Sequence, residues 1–386
     1  MNQVDQWNRL AAGRSYDRRE FLRGLCGSAL ATTVSSVLPR RAWGSAVKRR
    51  KVVVVTFGGG ARDEETFAPE GQQNIPRMLQ ELMPQAAFFT QVVNRGILGH
   101  YVATASLATG VYERFNNFAD VSPENPTLFE YFRQSLKRPA SDAWVVAPSN
   151  GFNRIGQSSH GLYTGAGASV ILPKRLLAHA DGSAAFGGLE HLLNDNYESP
   201  IQAPVALASE MPSEQVASML KLSVADFAAH ASTLNSPDEL SLFVARRIMR
   251  EVAPCLLWVT LHDIDVAHTG AFSLYLEGIR RSDTICAELW RTIQSEPEYK
   301  DQTNLLILPD FGRDSDGDAG GNGFQHHRTG DALSRTTWMM ALGPDVRQNT
   351  VVDRPIESID LTPTVAALFG CDARMSQGHL IRELGL

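Results

Sequence analysis

Between His262 and Gly270 the chain reads HDIDVAHTG; from Leu308 it reads LPDFGR and then, past a loop crowded with Gly and Asp, QHHRTG. Carboxylates and imidazoles are the donors that hard and borderline divalent ions take. In both places they follow an apolar run, CLLWVTL before His262 and NLLILP before Asp310. Such runs read as buried strands, and the loops beyond C-terminal strand ends are where an α/β sheet gathers a site. Asp263, Asp265 and His268 from the first segment are therefore candidate metal ligands, as are Asp310, His326 and His327 from the second. From neighbouring strand ends they can converge on one ion. Phe311 follows Asp310 where a second ligand is expected, so the stretch holds either a metal site or the remains of one.

Arg313 is spaced to hold a phosphate or sulfate oxygen through two N–H donors, or else to form a surface salt bridge. Asp314-Ser315-Asp316-Gly317-Asp318 has the spacing of a calcium loop but lacks the terminal bidentate Glu, and reads as a solvated loop. Gly58-Gly59-Gly60 follows a strand without completing GxGxxG or a P-loop, which argues against a dinucleotide site.

The elements that must position these residues alternate. Apolar β-rich runs occur at 51–57, 87–93, 143–148, 255–261, 304–309 and 337–343. Helical patterns lie between several of them, at 126–137, 271–294 and 360–370. That alternation predicts a mostly parallel sheet covered on both faces. Residues from about 183 to 252 break the rhythm and read as a helical insertion, with caps at Ser213 and Ser236.

Of the 386 residues 43% are hydrophobic and 20% charged, and the net charge is -6. This is globular composition without the basic face that a nucleic-acid binder needs. No apolar run of the mature region approaches the about 20 residues of a membrane span. Beyond the N-terminal segment, Cys255, Cys286 and Cys371 are odd in number and set in apolar surroundings, so they read as small core residues rather than a disulfide framework. The N-terminus differs. Asp17-Arg18-Arg19-Glu20-Phe21-Leu22-Arg23, then GLCGSALATTVSSVL and AWGSA, resembles a twin-arginine export signal over residues 1–46, cleaved after Ala46. The expected location is exported, periplasmic or extracellular, with the twin-arginine export machinery as a partner.

Taken together, the segments resemble the alkaline-phosphatase superfamily, the group that holds sulfatases, nucleotide phosphodiesterases and cofactor-independent phosphoglycerate mutases. The resemblance spans roughly residues 51 to 372. It rests on VVVVTFGGG, HYVATASLATGVY, HDIDVAHTG, LPDFGR, QHHRTG and the tail MALGPDVRQNTVVDRPIESIDLTPTVAALFG. It implies an α/β fold, a central mostly parallel sheet sandwiched by helices, with a two-metal site at the sheet's C-terminal edge. By the same resemblance one ion is held by Asp263 or Asp265 together with His268 and either His326 or His327. The second ion's ligands depart from the pattern: Gly58 holds the place of the first-strand Asp, and the Asp-His pair reads Asp310-Phe311. Asp63 can replace the missing carboxylate only if its loop bends back. Counting back from Gly110 puts His100 at the nucleophile's place. A His can take a phosphoryl group; the other reading of His100 is a polar residue in a vacated pocket.

The expectation is one domain over 47–386 that hydrolyses a small anionic phosphate or sulfate ester. It would use a divalent ion (zinc, manganese or calcium), one rather than two, with His100 and Arg313 as catalytic candidates. The alternative is a non-catalytic protein of the same fold that serves as a binding or assembly component of the envelope.

Overall fold

The computed structural model describes residues 50–385 apart from 120, 178–187, 194–212, 222 and 329. The segment resembling an export signal lies outside the described residues. Among the described residues nine strands form one sheet: β1 (Lys51–Phe57), β2 (Ala87–Val93), β3 (Ala143–Val146), β4 (Ser169–Ile171), β5 (Leu256–Leu261), β6 (Thr303–Pro309), β7 (Thr336–Leu342), β8 (Thr350–Val352) and β9 (Ile356–Glu357). Their order is β4-β3-β5-β1-β6-β7-β2-β8, with β9 also paired to β2. The sheet is parallel except at β7, which runs against both β6 and β2. That reversal carries no mark in the β7 sequence.

β1 shows why the sheet is covered twice. Successive side chains of a strand point to opposite faces. Val52 and Val54 join one apolar cluster with Leu128, Phe129, Phe132, Leu361 and Val365, from helices α2 (Leu128–Leu136) and α5 (Leu361–Phe369). Val53, Val55 and Phe57 join another with Leu240, Val244, Ile248, Ile285 and Leu289, from α3 (Pro237–Glu251) and α4 (Phe272–Ser295). A further helix, α1 (His100–Thr109), is buried along its whole length, which fits its almost uncharged sequence HYVATASLAT. Within 183–252 the described residues form the short helices Glu190–Leu193, Ser213–Met219 and Val224–Ala231, then α3. Ser236 caps α3 by accepting the Glu239 N–H, and Ser223 caps Val224–Ala231. Leu192, Val216 and Phe227 pack into the same cluster as Val53. Cys255, Cys286 and Cys371 are buried free thiols. No described helix is long and apolar enough to cross a membrane.

One buried carboxylate ties α4 to the chain before β2. Asp283 accepts the N–H groups of Met78 at 2.7 Å and Arg77 at 3.1 Å. Burial nonetheless pushes its pKa up to about 6. The folded state thus holds this proton more tightly than the unfolded chain, whose Asp titrates near 3.9. Between pH 4 and 6 the unfolded state releases it first, so this group's contribution makes stability fall as pH rises. The loss is on the order of 3 kcal/mol. Subtracting the stability-versus-pH curve of Asp283→Asn from that of the wild type should leave this downward step; a flat difference would contradict the assignment.

Candidate metal centre

β5, β1 and β6 are adjacent and parallel, with Phe57 in register with both Leu261 and Pro309. Their continuations therefore leave the sheet at one edge. Gly58–Gly60, His262–His268 and Asp310–Arg313 meet there, and His100, the first residue of α1, reaches Asp265 and Asp310. Backbone geometry helps them close. Gly59 has a φ of 128°, which an L side chain rarely adopts, and its N–H reaches Asp310 Oδ1 at 3.3 Å.

Asp265 is the hub and is 1% exposed. Its Oδ1 lies 3.0 Å from His100 Nε2, 3.2 Å from His268 Nε2 and 2.8 Å from an Arg313 nitrogen. Nε2 of His268 and Nε2 of His327 face each other at 2.9 Å. Ligand atoms of His100, Asp265, His268 and His327 all fall within 4.8 Å of one another. His327 Nδ1 donates to the Leu98 carbonyl at 3.1 Å. A carbonyl only accepts, so the proton of the neutral ring belongs on Nδ1 and the lone pair of Nε2 points into the group. Burial, reinforced by His100 and Arg313, pushes the His327 pKa down to about 2, which keeps the ring in that neutral form.

The carboxylates divide by their neighbours. Burial alone would raise Asp265, but His100, His268 and Arg313 hold its carboxyl well below the usual carboxylate range. Asp310 is raised by burial, and the pull of His100 reduces the rise without cancelling it. For His100, burial lowers the pKa, and the two carboxylates outweigh it and push it up to about 9. Without an ion, the centre is a buried His⁺ between two Asp, with a neutral His327 beside it.

Three imidazoles and a carboxylate are a zinc-type donor set, and edges of a tetrahedron at zinc bond lengths are about 3.3 Å. The observed separations of 2.9, 3.0 and 3.2 Å are close to that size. The residues present fit a divalent ion.

Other candidates fall elsewhere. Asp265, not Asp263, joins the group. Asp263 pairs with Arg281 at 2.7 Å, and burial next to Asp238 pushes its pKa up to about 6. Asp238, His262 and Asp263 come close enough to suggest a second ion, but Asp238 accepts the N–H groups of His262 and Asp263 at 2.9 Å. That contact clamps the end of β5 to the start of α3. His326 lies outside the group of ligand atoms. Asp310 also lies outside it and instead accepts from His100 Nδ1 at 2.7 Å. Asp63 heads a short 3-10 turn and is not in the group. Arg313 is no surface ion pair: it is fully buried over the Tyr275 ring and donates to the Gly60 carbonyl and Asp265. In that position it fixes Asp265 rather than facing an incoming ester. Asp314 is not solvated either; it is buried and accepts the Arg328 N–H and the Ser334 hydroxyl. The aliphatic hydroxyls nearest His100 in α1, those of Thr104 and Ser106, donate to carbonyls of their own helix.

Sequence reasoning missed Tyr275 beneath Arg313 and the carbonyls of Leu98 and Gly60. Tyr275 reads only as one residue of an apolar helix face, and the carbonyls leave no trace in residue types.

No family model and no curated protein matches the chain. Solved structures do. Phosphonate monoester hydrolase SpPMH from Silicibacter pomeroyi superposes with a TM-score of 0.52 at 13% identity, over 86% of this chain and 76% of that one. Lipoteichoic acid synthase LtaP from Listeria monocytogenes gives 0.51 at 11% identity, over 88% and 76%. A variant of alkaline phosphatase PafA gives 0.51 at 11%, over 88% and 99%. The fold is alkaline-phosphatase-like. On this alkaline-phosphatase fold the sheet edge carrying His100, Asp265, His268 and His327 is the candidate centre. Two of the positions that the resemblance assigns to a second ion's ligands hold Gly58 and Phe311. A Cβ on Gly58 would lie 2.8 Å from Cε1 of Phe152 and closer still to its Cζ, so the Phe152 ring fills the space a side chain there would need.

Proposed function

We propose that the protein is an exported metal-dependent hydrolase of small phosphate or sulfate esters, working with one divalent ion held by Asp265, His268 and His327. The observation that carries the reading is the convergence of those three groups on one point, with His268 40% exposed at its open side. Leu98 fixes the tautomer of His327, and Arg313 fixes the orientation of Asp265. A divalent ion bound there supplies Lewis acidity toward an ester oxygen and lowers the pKa of a coordinated water. The solved structures that share the fold include enzymes named as a phosphonate monoester hydrolase and an alkaline phosphatase, which supports an ester of an oxoanion as substrate. Export rests on the Asp17–Arg23 segment.

The test is turnover of p-nitrophenyl phosphate and p-nitrophenyl sulfate by protein loaded with zinc or manganese, alongside elemental analysis. His268→Ala should abolish both metal binding and turnover. Unchanged metal stoichiometry in that variant would sink the ligand assignment. One feature favours a second reading, a binding or assembly protein of the envelope: Phe311 and Phe152 pack the region in which a second ion would sit. An ion bound at full occupancy with no turnover of either ester would support that reading.

A further inference from the structure

Building on the centre proposed above, we infer that His100 is itself a ligand of the ion, oriented by Asp310, so that four protein groups hold the metal and His100 is not the reaction's nucleophile. Three features of the geometry point this way. First, His100 Nε2 approaches the same oxygen of Asp265 as His268 Nε2 does, at 3.0 against 3.2 Å. Second, its far nitrogen donates to Asp310 Oδ2 at 2.7 Å. Asp310 is anchored in turn, its Oδ1 accepting the N–H groups of Gly59 and Phe311. An imidazole with a carboxylate on the far nitrogen and its near nitrogen turned to a donor cluster is the arrangement that orients metal-binding histidines. His327 repeats it with the Leu98 carbonyl. Third, the ring cannot swing: it stacks on Phe311 with centroids 4.6 Å apart and planes 19° from parallel.

The same features count against a nucleophile. To take a phosphoryl group, Nε2 must meet the substrate in line with the leaving oxygen. His100 is 2% exposed and its Nε2 faces Asp265, so attack would require the pair to part. Phe311 also finds a role here: it forms the wall that keeps the His100 ring turned toward Asp265.

The experiment is X-ray absorption on the zinc-loaded full-length protein, with zinc affinity measured by chelator competition for the wild type, His100→Gln and Asp310→Asn. Three imidazoles per zinc are expected in the wild type. Asp310→Asn leaves the ligand in place and removes its orienting charge, so zinc affinity should fall by about 10–100-fold. His100→Gln should fall further and show two imidazoles. Absence of zinc from the wild type would overturn the metal centre itself. Zinc bound with two imidazoles in the wild type would overturn the role of His100 alone, and that outcome needs no variant to fold. Unchanged affinity in both variants would do the same.

Discussion

Replacing Asp265 by Ala is expected to lower the stability of the metal-free protein by about 3–5 kcal/mol, the cost of removing one partner from a buried ionic group. It should also eliminate metal binding. Two cationic groups depend on this carboxylate: Arg313, fully buried, and His100, with its pKa pushed up to about 9. Without it Arg313 keeps the Gly60 carbonyl and His100 keeps Asp310, neither of which replaces the shared carboxylate oxygen. Asp265→Asn should cost less, because the amide keeps an acceptor in the same place, yet it should still weaken metal binding by removing the charge. Guanidinium denaturation of the apoprotein, followed by zinc titration, separates the two effects. A loss under about 1 kcal/mol in the Ala variant would mean that the cluster relaxes into other contacts and that the buried charges are not tied together as described.

The second large effect concerns Phe311. Its ring is fully buried, stacked on His100 and 4.8 Å from the ring of His327. Phe311→Ala should cost about 3–5 kcal/mol, the usual range for deleting a buried aromatic ring. Phe311→His is the more informative change, because it restores an imidazole after Asp310. Metal stoichiometry should stay at one. A lone carboxylate-imidazole pair lacks the further ligands a second ion needs. Gly58 cannot supply one, since a Cβ there meets the Phe152 ring. Two ions per chain in Phe311→His would show that the second site is lost by a single residue and that the packing around Gly58 is no barrier.

Much of this was legible in the residues. Continuous apolar runs such as VVVVTF and NLLILP announce strands buried on both faces, and they form β1 and β6 at the centre of the sheet. The amphipathic 271–294 segment forms α4, and the Gly after DLTPTVAALF ends α5 in a left-handed cap. Local chemistry also marked the strand ends as the place to look, since period and turn residues say where a strand stops.

What residue types could not decide was which of two neighbouring donors turns inward. Asp263 and Asp265 stand close in the chain, yet one is claimed by Arg281 and the other by His100, His268 and Arg313. His326 and His327 differ by a single step along an irregular loop, where no period assigns a face. The reversal of β7, the burial of Arg313 and the pairing of His100 with Asp310 all depend on contacts between residues far apart in the chain. The strands were written in local hydrophobic pattern. The centre was decided by tertiary packing, because an ionisable side chain takes its role from the charges and carbonyls that folding brings against it.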